Sequence, residues 1–502
     1  MFAQTAKQNA NTKLTENGAL AYSTSGKVLT DLFAQIGALR PRTVTEIENK
    51  FASAFNTDPL IATKMMFYAG NIRGGLGERR TFRICLKWLA KNHPDIVKKN
   101  IHLIPEYNRW DSMFELIGTP VETAMWENIG RQLSCDAEMV VRSREDKKPY
   151  SISLLAKWMP TETAHSPQTR KLARKAIKAL GLTPRQYRKL LSALREYLNI
   201  VERAMSAGNW DSINYEAVPS YAMKNYRKAF EKRDGERFAT YTTSLVKGEA
   251  KVNASTLYPY DLIGALRKSM TYDYRIHKYT CKYDPIIEEQ WKALPNYVSG
   301  ENNILIMADV SGSMDADGGR PMNTSVGLAT YFAQRNNGEY HNLYMTFTDS
   351  PHFVSLKDGD TLANIVPNVM GTDIGYNTNL EKAFMYILKH AIDHNISNND
   401  LPKALVVVSD MEIDNYARWR GFNFVDEMDK RFAAHGYKMP KLVCWNVEAR
   451  NDTFLSQNDN VILVSGQSVS TFKNLCGCLD GKTAWDFMME VLNDEMYNSV
   501  RV

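Results

Sequence analysis

The sequence lacks any apolar run long enough to cross a lipid bilayer. Nowhere in its 502 residues does an uninterrupted apolar stretch approach the roughly 20 that a transmembrane helix needs. The first thirteen residues are polar and rich in Gln, Asn and Thr, and they do not pair a charged segment with an apolar one as export signals do. We therefore expect a protein that neither spans a membrane nor is exported.

Cysteine is also sparse, and its spacing excludes two common scaffolds. The six cysteines are scattered and show neither the dense pattern of a disulfide framework nor the paired pattern of a zinc site. We expect reduced, mostly buried thiols and hence a cytoplasmic protein. The positions are Cys85, Cys135, Cys281, Cys444, Cys476 and Cys478.

Each half of the chain has fewer charges of one sign than of the other, although the net charge of the whole is only +6. Residues 300–502 contain 16 Lys and Arg against 26 Asp and Glu, which leaves 46 against 30 for residues 1–299. Such an asymmetry indicates that the first half meets a polyanion, while the second half binds cations or complements its basic neighbour.

The chain is too long for one core, and its two halves differ in pattern. Residues 1–25 read as a flexible polar segment, and residues 26–299 carry apolar residues at helical spacing almost throughout. Asp58 and Pro59 are typical of a helix start, and Gly70 to Gly77 of its end. Paired helices of this kind predict a stacked, HEAT-like helical-repeat domain.

Residues 300–502 change to an order of apolar strand, polar loop and helix. Five short apolar runs, at 304–308, 343–347, 405–408, 442–445 and 461–464, are typical of central parallel strands. Helical segments near 322–335, 379–394, 422–435 and 482–496 separate most of them. This order predicts a doubly wound, Rossmann-like α/β domain whose chemistry lies at the carboxyl ends of the strands.

Asp309, Ser311 and Ser313 follow the first of these strands directly. One carboxylate and two hydroxyls at alternate positions of a tight turn point toward one centre, and such hard oxygen ligands suit a single Mg²⁺ or Mn²⁺ ion. The alternative is a Ser-Gly turn capped by Asp309 with no ion bound. Asp315, Asp317, Asp349, Glu412 and Asp414 flank the turn and either support a cation electrostatically or are simply solvated.

This motif resembles the metal-ion-dependent adhesion site of the von Willebrand factor A family, which carries Asp-x-Ser-x-Ser. The resemblance implies two further ligands, a threonine from a second loop and an aspartate after the fourth strand. Thr378 matches the threonine, with Thr372 as a weaker competitor, and Asp410 matches the aspartate. Two aspartates that converge without a cation would repel each other, which favours metal occupancy. A coordination position left open would accept a partner's carboxylate.

Motifs for catalysis are missing. There is no Gly-x-x-x-x-Gly-Lys-Ser/Thr loop, and Gly74 to Gly77 lie between helices, so they are not a dinucleotide fingerprint. A second metal or a placed general base, which phosphoryl chemistry would need, is not evident. We predict a protein that is not an enzyme.

The densest positive stretch runs from Arg170 to Arg203, with ten Lys and Arg against two Glu. It predicts an RNA-binding surface, with Tyr187 and Tyr197 nearby for stacking on bases, although charge runs are often merely solvated helix faces. A second candidate surrounds the glycine turn, where phosphates can approach the backbone. The candidates are Arg73, Arg79, Arg80, Arg170, Lys171, Arg174, Lys175, Lys178, Arg185, Arg188 and Lys189, with Arg195 beside them.

A basic helical region joined to an adhesion-type metal site resembles the Ro ribonucleoprotein, or TROVE, family, and especially an uncharacterised Ro-like branch in phages, bacteria and plants. The motifs are Asn71 to Arg79, Tyr107 to Asp111 and Val218 to Ala222. The resemblance implies a ring of helical repeats that binds small structured RNA or single-stranded RNA ends. The alternative is a metal-dependent protein-interaction scaffold, such as a phage structural or assembly component.

Overall fold

The computed structural model describes residues 11–18, 20–298, 303–348, 350–371, 379–413, 424–455, 461–476 and 481–502. In chain order its helices are α1 (Val28–Phe33), α2 (Val44–Thr57), α3 (Pro59–Gly70), α4 (Arg79–Asn92), α5 (Pro94–Asn100), α6 (Ile104–Tyr107), α7 (Glu122–Glu145), α8 (Leu155–Trp158), α9 (Pro167–Ala179), α10 (Pro184–Tyr197), α11 (Val201–Ala207), α12 (Ser220–Arg233), α13 (Gly235–Val246), α14 (Pro259–Arg267), α15 (Pro285–Lys292), α16 (Ala316–Arg335), α17 (Leu362–Gly371), α18 (Leu380–Asp393), α19 (Phe424–Ala434), α20 (Thr471–Cys476) and α21 (Ala484–Leu492).

Its strands are β1 (Thr12–Leu14), β2 (Leu20–Tyr22), β3 (Thr271–Asp273), β4 (Lys278–Thr280), β5 (Ile304–Asp309), β6 (Leu343–Phe347), β7 (Phe353–Ser355), β8 (Ala404–Ser409), β9 (Lys441–Asn446) and β10 (Ile462–Ser465). None of the helices in the described ranges is both long enough and apolar enough to span a lipid bilayer.

The chain divides into two compact units along lines that differ from the expected boundary at residue 300. One unit, called here the sheet unit, contains residues 1–81 and 254–498. The other, the helical unit, contains residues 82–253 and 499–502. Residues 26–81 and 254–299, which helical periodicity assigned to the repeat region, therefore fold with the sheet.

The sheet unit is built on six strands in the order β10-β9-β8-β5-β6-β7. Five of them are parallel, and β7 joins the edge antiparallel to β6. The five predicted strands are all present within one or two residues. The edge strand β7 and helix α17 were not predicted. The strand order reverses between β5 and β8, so a crevice is expected at the carboxyl ends of these two strands.

Helices cover both faces of this sheet, which is why its central strands are apolar throughout. Leu305, Met307 and Val407 point to one face, where they join a buried cluster with helices α18 and α19. On the other face the ring of Trp445 lies 4.8 Å from that of Phe472 in α20, and the Ser325 hydroxyl of α16 donates to the Val408 carbonyl. The prediction of an α/β domain is therefore confirmed as a mixed sheet that is covered by helices on both faces.

The segment expected to be a flexible lead contains an ordered hairpin. Strands β1 and β2 pair antiparallel, and the backbones of Tyr22 and Phe454 exchange hydrogen bonds of 2.8 and 3.0 Å. Helix α1 follows, and Gly37 then passes so close to the end of β10 that an added Cβ would lie 2.6 Å from the Gly466 Cα. Glycine at position 37 allows the amino-terminal segment to pack against the sheet.

The helical unit consists of helices and turns, without a strand among its residues. Its two basic helices have strong start signals. The Ser166 hydroxyl accepts from the Thr169 N–H ahead of Pro167, and Thr183 and Gln186 form a reciprocal capping box ahead of Pro184. The predicted start at Asp58, in the sheet unit, is also confirmed, since its carboxylate accepts from the Ile61 N–H.

The cysteines differ in part from the expectation. The five in the described residues are thiols outside any disulfide, as predicted, but only Cys85 and Cys444 are buried. Cys135 is exposed, and Cys281 and Cys476 are half-buried, so the prediction of mostly buried thiols is wrong for these three. Cys478 lies outside the described residues.

Candidate functional site

The crevice at the switch point of the sheet holds two of the predicted ligand carboxylates. Asp309 is the last residue of β5, and Asp410 directly follows β8, its parallel neighbour. Both are almost fully buried. The Ser409 hydroxyl donates to Asp309 Oδ2 at 2.6 Å and lies 3.5 Å from Asp410 Oδ1, so a single side chain joins the two acids.

Burial dominates the electrostatics of Asp309. Loss of solvent, followed by the nearby charge of Asp410, raises the pKa of Asp309 to about 7. Hydrogen bonds from Ser409 and Ser311 act in the opposite direction. Two acids held this close in a dry crevice therefore need a compensating positive charge or a shared proton.

Ser311 and Ser313 lie on the turn that leaves β5, as the motif predicted. The Ser311 N–H donates to Asp309 Oδ1 at 2.9 Å, which fixes the turn above the strand end. The hydroxyls of Ser311 and Ser313 lie 3.1 Å apart. Ser311 is buried, whereas Ser313 is half-buried, so these two oxygens extend from the crevice toward its solvent-facing rim.

Arg450, which the sequence did not suggest as a site residue, supplies a positive charge. It follows β9, the neighbour of β8, and its guanidinium donates to Asp410 Oδ2 at 2.6 Å. The same side chain lies 3.3 Å from a carboxylate oxygen of Glu16. Asp410 is therefore neutralised at least in part by the protein itself.

The remaining predicted ligand lies outside the described residues. Thr378 and its competitor Thr372 both belong to the gap at 372–378, and Asp349 and Asp414 fall in other gaps. In the described ranges no three His, Cys, Asp or Glu side chains group as a metal site. A cation held by Asp309 and Asp410 would thus depend on the serine hydroxyls as well.

Three flanking acids have partners of their own. Glu412 is buried and accepts from the Glu16 N–H at 2.7 Å and from the Thr453 hydroxyl at 3.0 Å. It anchors the β1–β2 hairpin rather than being solvated. The other two, Asp315 and Asp317, pair with Arg267 and Arg320 respectively.

Glu448 is a further buried acid that the sequence did not reveal. It follows β9 and has a carboxylate oxygen without a hydrogen-bond partner in the described structure. Burial, and then the charge of Asp317, raise the pKa of Glu448 to about 7, and Arg450 opposes the shift. Its place after a neighbouring parallel strand is the one sequence signal that could have found it.

The basic candidates of the helical unit fall into two groups. Five are exposed and have no acidic partner among the described residues. In α9 these side chains are spaced by three and four residues, so they lie on one face of the helix. They are Lys171, Arg174 and Lys178 in α9, and Arg185 and Lys189 in α10.

The second group is engaged within the fold. Lys175 pairs with Glu122 at 2.8 Å, and Arg188 pairs with Glu162 at 2.9 Å. Arg170 donates to the carbonyls of Ala164 and His165. Arg195 likewise donates to the backbone carbonyls of two residues, Ala156 and Met159.

The expected stacking role is wrong for the buried Tyr187, whereas for the half-buried Tyr197 it stays a prediction. Tyr187 is 1% exposed, and its hydroxyl donates to the Pro160 carbonyl. The Tyr197 hydroxyl bonds to the backbone of Tyr150 and to Ser143. The Tyr187 ring faces the interior because α10 packs its apolar stripe inward. Helical spacing places Tyr187 beside the arginines but does not show which side of the helix is buried.

The glycine turn has a packing explanation. A side chain at Gly75 would clash with the Tyr68 carbonyl, and Gly77 has a φ of +65° and faces the Tyr258 hydroxyl. Close packing within the fold therefore accounts for Gly75 and Gly77, and a bound phosphate is not needed to explain them. Arg73, Arg79 and Arg80 are exposed, and Arg80 donates to the carbonyls of Arg40 and Arg42.

Comparison with known proteins finds matches over most of the chain. Residues 15–109 and 163–302 match the family model DUF2828, and residues 303–494 match DUF7788. Both families are described as domains of unknown function. An uncharacterised protein, L728, of Acanthamoeba polyphaga mimivirus is 29% identical over 92% of this chain and 84% of its own length. The crystal structure of the Ro (RSR) protein of Deinococcus radiodurans covers 93% of this chain and 99% of that one, at 13% identity and a TM-score of 0.40.

Proposed function

We propose that this chain is a non-catalytic RNA-binding protein of the Ro type. The carrying observation is the row of exposed basic side chains without acidic partners on α9 and α10, led by Lys171, Arg174 and Lys178. The proposal includes a HEAT-like helical-repeat domain, which would form a ring as the resemblance to the Ro family implies. Phosphate oxygens are the ligands that such a row of cations fits best.

The charge of the whole helical unit supports this assignment. The unit contains 31 Lys and Arg against 19 Asp and Glu, a net charge of +12. An excess of this size attracts a polyanion over a distance of about 8–10 Å at physiological salt, beyond any single contact. Lys175 and Arg188 have acidic partners within the fold, so the proposal rests on the five cations that have none.

The test is a triple charge reversal, Lys171→Glu, Arg174→Glu and Lys178→Glu. Binding of a fluorescein-labelled single-stranded RNA, followed by anisotropy, should weaken by at least about 100-fold, because three phosphate contacts become repulsive. The matched control is Lys357→Glu, Lys389→Glu and Lys430→Glu, which changes the net charge equally at exposed lysines of the sheet unit. Equal affinity of wild type and the α9 variant, with both folded, would remove α9 from the proposal.

For the switch-point crevice we propose one Mg²⁺ or Mn²⁺ ion, in a domain of the von Willebrand factor A type. Carboxylate and hydroxyl oxygens are the donors these ions prefer, and the close pair of buried acids favours a cation. Asp309, Ser311, Ser313 and Asp410 would hold it, together with Thr378. Bound there, the ion would supply a positive charge to a carboxylate or phosphate of a partner.

Two measurements test the metal proposal. Electron paramagnetic resonance measures the binding of Mn²⁺, and thermal unfolding measures the rise in melting temperature on adding MgCl₂. A ligand at 100 times its dissociation constant stabilises the folded state by about 2.7 kcal/mol. Asp309→Ala and the milder Ser313→Ala should lose this shift, whereas Ser355→Ala, at an exposed serine, should keep it. Undiminished Mn²⁺ binding by folded Ser313→Ala and Asp309→Ala would refute the assignment.

A second candidate is a metal-dependent protein-interaction scaffold, such as a phage structural or assembly component. The half-buried Ser313 favours it, since an ion at this rim would be within reach of a partner's carboxylate. The ratio of absorbance at 260 and 280 nm of the protein as purified separates the two. Co-purifying RNA supports the Ro-type proposal, and its absence after a low-salt preparation supports the scaffold.

A further inference from the structure

A tyrosine-rich hairpin in the sheet unit presents its rings to solvent. This tyrosine hairpin, residues 271–280, pairs β3 with β4 in the register Tyr272 to Tyr279 and Asp273 to Lys278. Tyr272 is 39% exposed and Tyr274 is 79% exposed, and Ile276 at the tip is 56% exposed. Rings this exposed contribute little to a core, so packing alone does not explain them.

The rings are arranged as a group. The centroid of Tyr272 lies 5.1 Å from that of Tyr274 and 5.1 Å from that of Tyr279, and both pairs meet edge to face. Tyr272 is thereby supported on two sides, and Tyr274 projects beyond it. The hairpin turn is fixed by the Arg275 N–H, which donates to the Asp273 carboxylate at 2.8 Å. The Tyr274 ring therefore packs against Tyr272, while most of its surface stays open to solvent.

Four cations lie within this hairpin or flank it in the sequence. Lys268, Arg275, Lys278 and Lys282 are all exposed, and the described residues place no carboxylate within ion-pair distance of any of them. Asp273 is the one acid within the hairpin itself, and its Oδ1 accepts a backbone N–H. Cations without partners therefore alternate with exposed rings along about fifteen residues of sequence.

Exposed rings interleaved with unpaired cations fit one ligand chemistry best. Unpaired bases stack on aromatic side chains, while the phosphates that join them pair with Lys and Arg. A duplex hides its base faces, and an acidic peptide would use the cations without needing the rings. We propose that the tyrosine hairpin is a binding site for single-stranded RNA, with Tyr274 stacking on a base. This inference rests on the proposed RNA-binding function and adds a site separate in sequence from α9 and α10.

The experiment compares Tyr274→Ala with Tyr274→Phe in the full chain. The probes are labelled single-stranded oligouridine, the same strand annealed to oligoadenosine, and heparin, a polyanion without bases. Tyr274→Ala should weaken single-strand binding about 5- to 100-fold, as loss of one stacked base does. Tyr274→Phe keeps the ring and should bind like wild type, and duplex and heparin binding should change little in either variant. Because the side chain is 79% exposed, both variants should melt like wild type.

The other outcomes separate this site from the broader proposal. Wild-type affinity of Tyr274→Ala for oligouridine, while the α9 charge reversal still weakens binding, would overturn the hairpin site and leave the proposed function standing. An equal loss for heparin and oligouridine would also overturn it, because the hairpin would then capture acidic chains, including acidic protein segments, without reading bases. A wild-type protein that binds none of the RNA probes would overturn both.

Discussion

Arg450 determines how the two buried acids of the crevice are balanced. Its guanidinium contacts Asp410, so the repulsion between Asp309 and Asp410 is relieved without an added ion. Two converging aspartates therefore do not by themselves require a metal ion at this site. A bound cation would share the Asp410 carboxylate with Arg450, so the stabilisation that the cation provides should depend on this arginine.

Replacing Arg450 with methionine should make the fold depend on metal. Removing one partner of a buried ion pair costs about 3–5 kcal/mol, and the partial exposure of Arg450 reduces the expected loss to about 1–3 kcal/mol. Added Mg²⁺ should raise the melting temperature of Arg450→Met by more than it raises that of wild type. Arg83→Met, which breaks the ion pairs with Asp111 and Glu115 in the helical unit, is the control. An equal Mg²⁺ shift in all three proteins would contradict the link between Arg450 and the ion.

The ion pairs of Asp452 make the free energy of unfolding depend on pH in the acid range. Burial alone would raise its pKa, but the hydrogen bond and charge of Lys50, with the charge of Arg42, outweigh burial and hold the pKa of Asp452 below its ordinary value of 3.8. A lowered pKa in the folded state contributes stability that is present above 3.8 and is lost as the pH falls through the folded value. Because Asp452 is partly exposed, the contribution is about 1 kcal/mol or less.

The matching measurement is urea unfolding of wild type and Asp452→Asn across pH. The variant should be less stable near neutral pH, and the difference should shrink as the pH falls below 3.8. Asp95→Asn, at an exposed ion pair with Lys98, should show no comparable trend. A difference that stays constant down to acid unfolding would show that the Asp452 ion pairs do not contribute.

At the scale of single residues, the sequence predicted the acids better than their partners. Asp309 and Asp410 could be placed because each follows an apolar run that reads as a parallel strand, and such strands end at one edge. Arg450 and Glu448 also follow a strand, but nothing in their spacing shows that β9 lies beside β8. Tyr187 was misplaced because helical spacing alone does not tell which face is buried.

Among the elements, the β1–β2 hairpin is the clearest case of structure that local pattern does not reveal. Its residues are mostly polar, and its anchors lie some four hundred positions away. The Thr15 hydroxyl donates to the Ile413 carbonyl, and the Asn17 amide donates to the Glu412 carbonyl. The hairpin therefore depends on the loop after β8, the loop that carries Asp410, for its order.

Hydrogen exchange should report this docking. Thr15→Val removes a buried hydrogen bond worth about 1 kcal/mol, so amides of residues 12–22 should exchange about 5-fold faster in the variant than in wild type. Ser23→Ala is the matched control, because its hydroxyl bonds to the Asn11 carbonyl at the exposed end of the same hairpin. Exchange of residues 12–22 at the rate of an unstructured peptide in wild type would contradict the docked hairpin.

The central strands, by contrast, could be predicted because they are buried on both faces and so are apolar at every position. The edge strand β7 was missed because three residues, two half-buried and one exposed, form no recognisable pattern. The tyrosine hairpin was missed for a related reason, since its strands are short and its exposed rings resemble a core signal. Short elements at the surface take their structure from neighbours that the sequence does not identify.

For the whole molecule, the uneven distribution of charge suggests a division of roles. The helical unit has a net charge of +12, whereas residues 300–502, which contain the sheet, have a net charge of −10. Positive and negative charges that are interspersed screen each other. An excess of positive charge confined to one unit instead attracts a polyanion. The strength of that attraction should be set by salt more than by RNA sequence.

The salt dependence of RNA binding measures how many phosphates the basic surface neutralises. For single strands the logarithm of the association constant falls with the logarithm of salt concentration by about 0.7 per phosphate. If Lys171, Arg174 and Lys178 each contact one phosphate, their joint replacement by glutamate should reduce the slope by about 2. The Lys357, Lys389 and Lys430 control should keep the wild-type slope, since those lysines lie in the acidic half of the chain. A flat salt response in wild type would mean that RNA, if bound, is not held through its phosphates, and the basic helices would then be a solvated surface.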